Sequence, residues 1–376
     1  MGCEGHLMPK PAVKQLEIAS RIRREIVSGA WRPRHRLPTR MQLQREHRAS
    51  PDTVQRALDR LTQDGFVRNE AGQGSFVANH PPHLHRFGVV FPHRPTPQVP
   101  WSRFHEALSH EITRLQHTGE RQVVVHYDVI GHVDTDGDLQ RLINSVNSHC
   151  LTGLLFVSPP VRLQETPVVT DPFVLRMGVM ESITQIPGVR PLYLDWNLFI
   201  DKSLSHLAAR GRRRVAILHS GIPATAQAHF RSVVKSFGME TGEHWIHHLG
   251  LGSAGSVSRL ILRGSDRPDA LIVADDHLVQ NVTEAALASG VRAGDDLDIV
   301  AHCNWPLPPR VGVPVTLLGF DARRILNTAF DQIDTLRRGE PVTTQLVPPV
   351  FENEYLNTNQ SAAALRPAVL LDSVSH

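Results

Sequence analysis

The chain between residues 49 and 61 places a group of polar side chains on one side of a predicted helix. Val54, Ala57, Leu58 and Leu61 recur at helical spacing, so the face that they share must be buried. The side chains predicted to project outward are those of Asp52, Thr53, Gln55, Arg56 and Arg60. Amide, hydroxyl and guanidinium groups hydrogen-bond to base edges and phosphates in a DNA major groove. Because a solvated surface helix has the same pattern, the neighbouring elements must decide between the two interpretations.

The segments before this helix favour the DNA interpretation. An amphipathic helix is predicted for residues 15–28, and a basic, proline-containing connector follows it. Thr39 is placed to cap a short helix that ends near His47, and Ser50 is placed to cap the next one. Two short helices joined by a tight turn, the second with a polar outer face, are typical of a helix-turn-helix.

A β-hairpin is predicted directly after the helices. Two short strands, at residues 66–69 and 75–78, flank a turn that contains Gly72 and Gly74. Glycine lets such a tip bend and approach a phosphate closely. Three helices followed by a hairpin predict a winged helix. Its predicted DNA contacts are Arg36, Thr39, Arg40, Ser50, Asp52, Thr53, Gln55, Arg56 and Gly74.

The distribution of charge agrees with a nucleic-acid contact at this end. Residues 1–80 contain 14 Lys and Arg against 8 Asp and Glu, a net charge of +6, and the rest of the chain has a net charge of −3. At 376 residues the chain is longer than one core usually supports, which predicts two or three domains.

The number and spacing of the cysteines and the hydropathy of the chain indicate its cellular compartment. Cys3, Cys150 and Cys303 are widely separated and show no metal-ligand spacing, which favours a reducing environment without disulfides. The first residues lack an apolar segment, and no apolar run approaches the length of a membrane span. We expect a cytoplasmic protein that binds no cofactor or metal ion and does not associate with a membrane.

Several spaced motifs in the first 80 residues resemble the GntR family of bacterial transcription regulators. They are Leu37-Pro38-Thr39, the stretch Ala49-Ser50-Pro51-Asp52-Thr53-Val54-Gln55-Arg56-Ala57-Leu58, Leu61, Gly65, and Gly72-Gln73-Gly74-Ser75-Phe76-Val77. The resemblance implies a winged-helix DNA-binding domain. Met41, Pro51 and Gln55 stand where arginines are frequent in that family, so an operator sequence cannot be transferred from its members.

The remaining chain divides into a linker and an α/β region. Residues 1–14 are predicted as a disordered lead-in, 15–78 as the winged helix, 79–86 as a polar linker and 87–376 as a larger domain. His80, His83 and His85 in the linker have no carboxylate or cysteine beside them, so we interpret them as solvated rather than metal-binding. Beyond residue 86, short apolar strands alternate with amphipathic helices. That alternation predicts an α/β fold with two lobes of parallel sheet covered on both faces.

Open parallel sheets bind ligands at the carboxyl ends of their strands, which selects candidate pocket residues. They are Trp101 and Arg103 after the first predicted strand of the domain, Asp275 and Asp276 after the strand at 271–273, and Asn304 after the strand at 299–301. An aromatic ring can stack on a sugar, while carboxylate, amide and guanidinium groups fix its hydroxyls. Each has a plainer alternative: helix caps for the two aspartates, a core position for Trp101, and ordinary loop positions for the others.

The larger domain also resembles a known family. Arg267-Pro268-Asp269-Ala270-Leu271-Ile272-Val273-Ala274-Asp275-Asp276 and Gly211-Arg212-Arg213-Arg214-Val215-Ala216-Ile217-Leu218 are similar to the effector domain of the LacI/GalR repressors, whose fold is that of the type I periplasmic binding proteins. The resemblance implies that Asp276 contacts sugar hydroxyls. The family's arginine in the helix after residue 219 is absent, and Gln227 is the candidate replacement.

Together the two resemblances describe the architecture of the arabinose-repressor-like regulators. They imply a homodimeric repressor that binds a pseudo-palindromic DNA operator and responds to a small ligand, expected to be a carbohydrate. One alternative is a degenerate sensor that binds DNA without a ligand. Another is an enzyme fused to a DNA-binding domain, but Lys202 and Lys235 are the only lysines beyond residue 80 and no nucleophile motif is present. We therefore assign no catalytic residue.

Overall fold

The computed structural model describes residues 11–119, 121–127, 137–180 and 185–364. It contains an N-terminal head followed by two lobes of parallel sheet, which confirms the predicted α/β class with a winged helix. Within those residues, no helix combines the length and apolarity needed to cross a bilayer.

The head is a three-helix unit with a two-stranded wing. Its elements are α1 (Pro11–Val27), α2 (Arg40–His47), α3 (Pro51–Gln63), β1 (Val67–Glu70) and β2 (Gly74–Val77). Ile18, Ile22, Val54, Leu58 and Phe66 are buried in its core, as the helical spacing predicts.

The first helix begins earlier than predicted. Residues 11–14, assigned to the lead-in, belong to α1, and residues 1–10 lie outside the described part of the chain. Proline suits the first turn of a helix, since the N–H that it lacks has no intrahelical partner there. A helix that starts at Pro11 is therefore chemically reasonable.

The predicted linker is also more ordered than expected. Pro82–His85 forms a short helix, α4, and Arg86 already belongs to the next strand. The ring of His83 stacks on Phe66 of the head with centroids 5.8 Å apart. The Thr152 hydroxyl donates to the Pro82 carbonyl over 3.4 Å. These contacts on both sides hold the segment in place, which composition alone does not reveal.

The chain then builds the two lobes in turn. Lobe 1 begins with β3 (Arg86–Val90), α5 (Arg103–Thr118), β4 (Gln122–His126), α6 (Asp138–Asn147), β5 (Gly153–Phe156), α7 (Pro167–Thr170), β6 (Leu175–Met180) and β7 (Arg190–Leu194). Lobe 2 follows with α8 (Trp196–Ala209), β8 (Val215–His219), α9 (Ala224–Val233), β9 (Ile246–His248), α10 (Leu251–Arg263), β10 (Ala270–Val273), α11 (Asp276–Ala288), β11 (Asp298–Trp305) and β12 (Thr316–Asp321).

The last elements return to each lobe once. Helix α12 (Ala322–Arg337) and strand β13 (Gln345–Val347) complete lobe 1, and strand β14 (Val350–Phe351) and helix α13 (Glu352–Ala364) complete lobe 2. The sheet of lobe 1 has the order β4-β3-β5-β6-β7-β13 and is parallel throughout. The sheet of lobe 2 has the order β9-β8-β10-β11-β12-β14, and its edge strand β14 is antiparallel. The chain therefore crosses between the lobes three times.

Candidate functional site

A cavity of about 420 Å³ lies between the lobes, where the carboxyl ends of both sheets face each other. From lobe 1 and the first crossover it is lined by Ser102, Phe104, His105, Val157, Ser158, Pro159, Val179, Met180, Leu194 and Trp196. From lobe 2 it is lined by Ser220, Gly221, Ile222, Pro223, Ala274, Asp275, Asp276, His277, His302 and Asn304. Three of the six predicted pocket residues, Asp275, Asp276 and Asn304, thus lie together at this cavity.

Asp275 both caps a helix and lines the cavity. Its carboxylate caps α11 by accepting a hydrogen bond from the His277 backbone N–H at 2.8 Å. It also contacts the His277 ring at 2.9 Å and the Ser220 hydroxyl. The helix cap fixes the carboxylate at the edge of the cavity, so the two interpretations are compatible.

Asp276 is buried at the centre of a polar cluster. Its Oδ2 accepts from Asn304 Nδ2 at 2.8 Å, and its Oδ1 lies 3.2 Å from His277 Nδ1. Arg103 Nε lies 3.6 Å from Oδ2. Burial alone would raise the pKa of Asp276, but the hydrogen bonds from His277 and Asn304 outweigh it and hold that pKa below its ordinary value. The carboxylate is therefore kept charged inside the protein.

His277 supplies the compensating positive charge. Hydrogen bonds to Asp275 and then Asp276 raise its pKa to about 10, so the ring is protonated near neutral pH. The ligand atoms of these three side chains lie close enough together to share a metal ion. The imidazolium already holds the two carboxylates together, however, and a metal would have to displace its proton.

His302 is a cavity residue that directly follows the strand predicted at 299–301 but is not among the six predicted pocket residues. It is buried on β11, its ring centroid lies 5.0 Å from that of Trp196, and burial lowers its pKa, which keeps it neutral. Neither ring nitrogen has a hydrogen-bond partner among the described residues. The alternation of β11 was the available signal, because His302 lies two residues from Asn304 and so points to the same face.

The other three predicted pocket residues lie outside the cavity lining. The Trp101 ring stacks on Phe91 at 4.8 Å, as the core alternative proposed. Arg103 donates from lobe 1 to the Leu307 and Pro308 carbonyls of lobe 2 at 3.1 and 2.7 Å. Gln227 donates to the Ile222 carbonyl at 3.1 Å. Arg103 thus reaches Asp276 from behind the cavity wall.

The head presents most, but not all, of its predicted DNA contacts to solvent. Ser50 and Thr39 cap α3 and α2, as their positions predict. Thr53 was predicted to project outward, but it is only 9% exposed, because its hydroxyl turns back to the Ser50 hydroxyl at 2.8 Å. Gln55 is half-buried, and its amide donates to Asp59 at 2.6 Å. A helical wheel places these residues correctly around the axis but does not foresee these local bonds.

The five further predicted contacts lie on exposed parts of the head. Arg40 is exposed on α2, and Asp52 and Arg56 are exposed on α3. Arg36 is exposed next to the wing, where a Cβ at Gly74 would lie 3.5 Å from its Nε. Gly74 has a φ of +115°, which only glycine adopts readily. The wing and α3 therefore expose cationic side chains suited to phosphates.

Family comparisons identify both parts of the chain separately. Residues 14–77 match the bacterial regulatory proteins of the gntR family. Residues 204–352 match the periplasmic binding protein-like domain. A histidine utilization repressor of Pseudomonas aeruginosa is 40% identical over 68 residues, which cover 18% of this chain and 27% of that protein. The chain thus matches only about a quarter of this curated relative.

Solved structures agree over the two-lobed region. A LacI family transcriptional regulator from Bifidobacterium animalis subsp. lactis gives a TM-score of 0.52 at 18% identity, over 71% of this chain and 95% of that one. One from Lactobacillus casei, with bound sucrose, gives a TM-score of 0.50 at 19% identity, over 71% and 98%. At these sequence identities, the structural similarity establishes the fold alone. The chain therefore joins an N-terminal DNA-binding domain of the gntR family type to a two-lobed domain with the fold of the periplasmic binding proteins.

Proposed function

We propose that this protein is a transcription repressor whose binding to a DNA operator is controlled by a small carbohydrate held between its two lobes. The observation that carries the proposal is the pairing, in one chain, of a winged helix with a cavity that contains the buried polar cluster of Asp276, Asn304 and His277. A ligand controls DNA binding only if it favours one arrangement of the domains over another.

The head supports the DNA part of the proposal. Arg36, Arg40 and Arg56 are exposed around the wing and α3, in a segment of net positive charge. The related protein from Pseudomonas aeruginosa is named as a repressor, the histidine utilization repressor. We infer a homodimer, because winged-helix proteins read two-fold symmetric operators with two heads.

The cavity supports the effector part. Asp275, Asp276 and Asn304 provide carboxylate and amide groups that bind sugar hydroxyls. The Lactobacillus casei regulator of the same fold was solved with sucrose. A cavity of about 420 Å³ falls within the range of roughly 300–1,000 Å³ that is usual for small-molecule sites. The open cavity favours a working sensor over a degenerate one.

Selection of bound duplexes from a random-sequence pool tests the DNA part. We expect the selected sites to contain two symmetric half-sites and the protein to sediment as a dimer. A monomer that selects no common sequence would contradict the proposal.

Thermal unfolding with a panel of mono- and oligosaccharides tests the effector part. A ligand at a hundredfold excess over its Kd stabilises the native state by about 2.7 kcal/mol. We expect at least one sugar to raise the melting temperature of the wild type but not that of Asp276→Asn. The exposed Asp266 provides the control Asp266→Asn, which keeps the response. The absence of a response to any ligand would favour the degenerate sensor.

A further inference from the structure

The two walls of the cavity differ in chemistry. The charged side chains of the described lining, Asp275, Asp276 and His277, all come from lobe 2. Lobe 1 contributes mainly apolar side chains, namely Phe104, Val157, Pro159, Val179, Met180 and Leu194. A ligand that contacts both walls must therefore have one polar and one apolar side.

The charges of the polar wall nearly balance. The protonated His277 bridges the two aspartates, and the Arg103 guanidinium lies 3.6 Å from Asp276 behind the wall. A carboxylate or phosphate ligand would meet two carboxylates whose counter-charges are already engaged. This arrangement selects against anionic ligands and leaves hydrogen bonding as the means of recognition.

Neutral hydrogen-bonding groups without a partner are buried in both walls. Burial keeps His302 uncharged, and a neutral imidazole has one donor and one acceptor nitrogen. Both nitrogens, and the Ser158 hydroxyl across the cavity, have no hydrogen-bond partner among the residues that the structure describes. Hydroxyl groups, which donate and accept, complement such groups better than any ion.

We propose that the effector is a neutral glycoside with an aromatic aglycone. The sugar hydroxyls bind Asp276, Asn304 and His302 of lobe 2, and the aromatic ring packs against Val157, Val179 and Met180 of lobe 1. The inference rests on the proposed function and specifies its ligand. The cavity of about 420 Å³ lies in the range of sites that hold drug-sized ligands, which are larger than one sugar ring. Sulfur and aromatic side chains make favourable contacts with such a ring.

Calorimetric titration of the full chain tests this inference. The probes are glucose, galactose and arabinose, the methyl and phenyl glycosides of each, and adenosine as a nucleoside. One buried methylene changes affinity by roughly 10- to 200-fold, so we expect a phenyl glycoside to bind at least about tenfold tighter than its parent sugar. Binding of adenosine instead of any glycoside would overturn the inference, because the ligand would then be a nucleoside.

A substitution in the apolar wall distinguishes the contribution of the aromatic ring to affinity from that of the sugar. Val179→Thr introduces a hydroxyl at nearly constant volume, and we expect it to reduce the advantage of the phenyl glycoside at least threefold. The affinity for the parent sugar should fall less than that for the phenyl glycoside. Val189→Thr is the matched control, because Val189 is similarly buried in lobe 1 but does not line the cavity.

The outcomes distinguish this inference from the proposed function. Parent sugars that bind as tightly as their phenyl glycosides, or an advantage that Val179→Thr leaves unchanged, would overturn the inference and leave a carbohydrate-controlled repressor intact. Binding of neither sugars, glycosides nor adenosine would overturn both.

Discussion

At Asp276, burial and hydrogen bonding act on the same carboxyl group in opposite directions. The group is 4% exposed, yet its pKa is lowered because His277 and Asn304 bond to its charged form. The N-terminus of α11 adds its own partial positive charge. A charged group kept inside a protein at such cost is typical of a binding site rather than of a core.

The ion pairs of His277 should make stability depend on pH. The folded pKa of His277, about 10, lies above the unfolded value of 6.5. Its contribution is therefore complete below pH 6.5 and is lost as the pH rises towards 10. We expect the melting temperature of the wild type to exceed that of His277→Gln most at pH 6 and to converge with it by pH 10.

The exposed His117 in α5 provides the control for that comparison. The difference between the wild type and His117→Gln should not follow the same pH course. A constant difference for His277→Gln from pH 6 to pH 10 would show that the ring is not protonated in the folded protein.

Arg56 is the exposed cation of α3 that we expect to contact a phosphate. Arg56→Ala should weaken DNA binding, and the slope of log K against log salt should become less steep by about 0.9 for each phosphate that a head no longer neutralises. Fluorescence anisotropy at several salt concentrations measures both quantities. Arg263→Ala, which removes an exposed arginine from lobe 2, should leave them unchanged. Weaker binding with an unaltered slope would instead indicate a contact to a base.

At the scale of elements, buried strands were the most predictable part of the chain. The strand predicted at residues 271–273 is β10 in the structure, because a parallel strand buried on both faces has a continuous apolar run. Helix α10 was missed, since its glycines and serines are poor helix formers. It forms because Ala254, Ser258 and Leu262 bury one face, with α11 packed alongside.

In the candidate site too, local sequence predicted some positions but not those that depend on packing. The rule of strand ends located Asp275, Asp276 and Asn304 correctly, because β10 and β11 were predicted at their true positions to within a few residues. The rule could not predict which of the side chains beyond a strand end point into the cavity. Trp101 follows β3 by a long loop, and packing on Phe91 decides its orientation.

Two glycines in lobe 2 should respond oppositely to alanine. A Cβ at Gly319 of β12 would lie 1.8 Å from the Cys303 carbonyl oxygen of β11, so Gly319→Ala should destabilise the protein severely. At Gly255 of α10, a Cβ meets Arg259 and Asn281 at an ordinary 3.6 Å. Gly255→Ala should therefore stabilise the protein by about 0.5–1 kcal/mol. Thermal unfolding measures both, and a neutral Gly319→Ala would contradict the strand register.

At the scale of the whole molecule, the head contacts lobe 1. Cys150, in the loop before β5, is buried in the same apolar cluster as Ile26, Leu61 and Phe66 of the head. With the stacking of His83 on Phe66, this contact joins the head to one wall of the cavity. Because the head is joined to lobe 1, a ligand that moves lobe 2 relative to lobe 1 also moves lobe 2 relative to the head.

Substitution of the two buried cysteines should test that contact. Cys150→Ser places a hydroxyl in the shared cluster, and a loss of about 1 kcal/mol would raise local opening of α1 roughly fivefold. Hydrogen exchange measured by mass spectrometry should show faster exchange in α1. Cys303→Ser, buried in lobe 2, should speed exchange in β11 but not in α1. Unchanged exchange of α1 in Cys150→Ser would mean that the head is not held against lobe 1.

The three crossovers also fix the order in which the chain can complete its domains during synthesis. Lobe 1 is begun first, but Ile325, Phe330 and Ile333 of its core lie on α12, beyond the whole sheet of lobe 2 except β14. Strand β7, which pairs with β6 on one side, gains its second neighbour only when residues 345–347 emerge from the ribosome. Until then the nascent chain carries an unpaired sheet edge, the feature most prone to intermolecular pairing. The lobe whose translation begins first can therefore be completed only after all of the sheet of lobe 2 except β14 has been made.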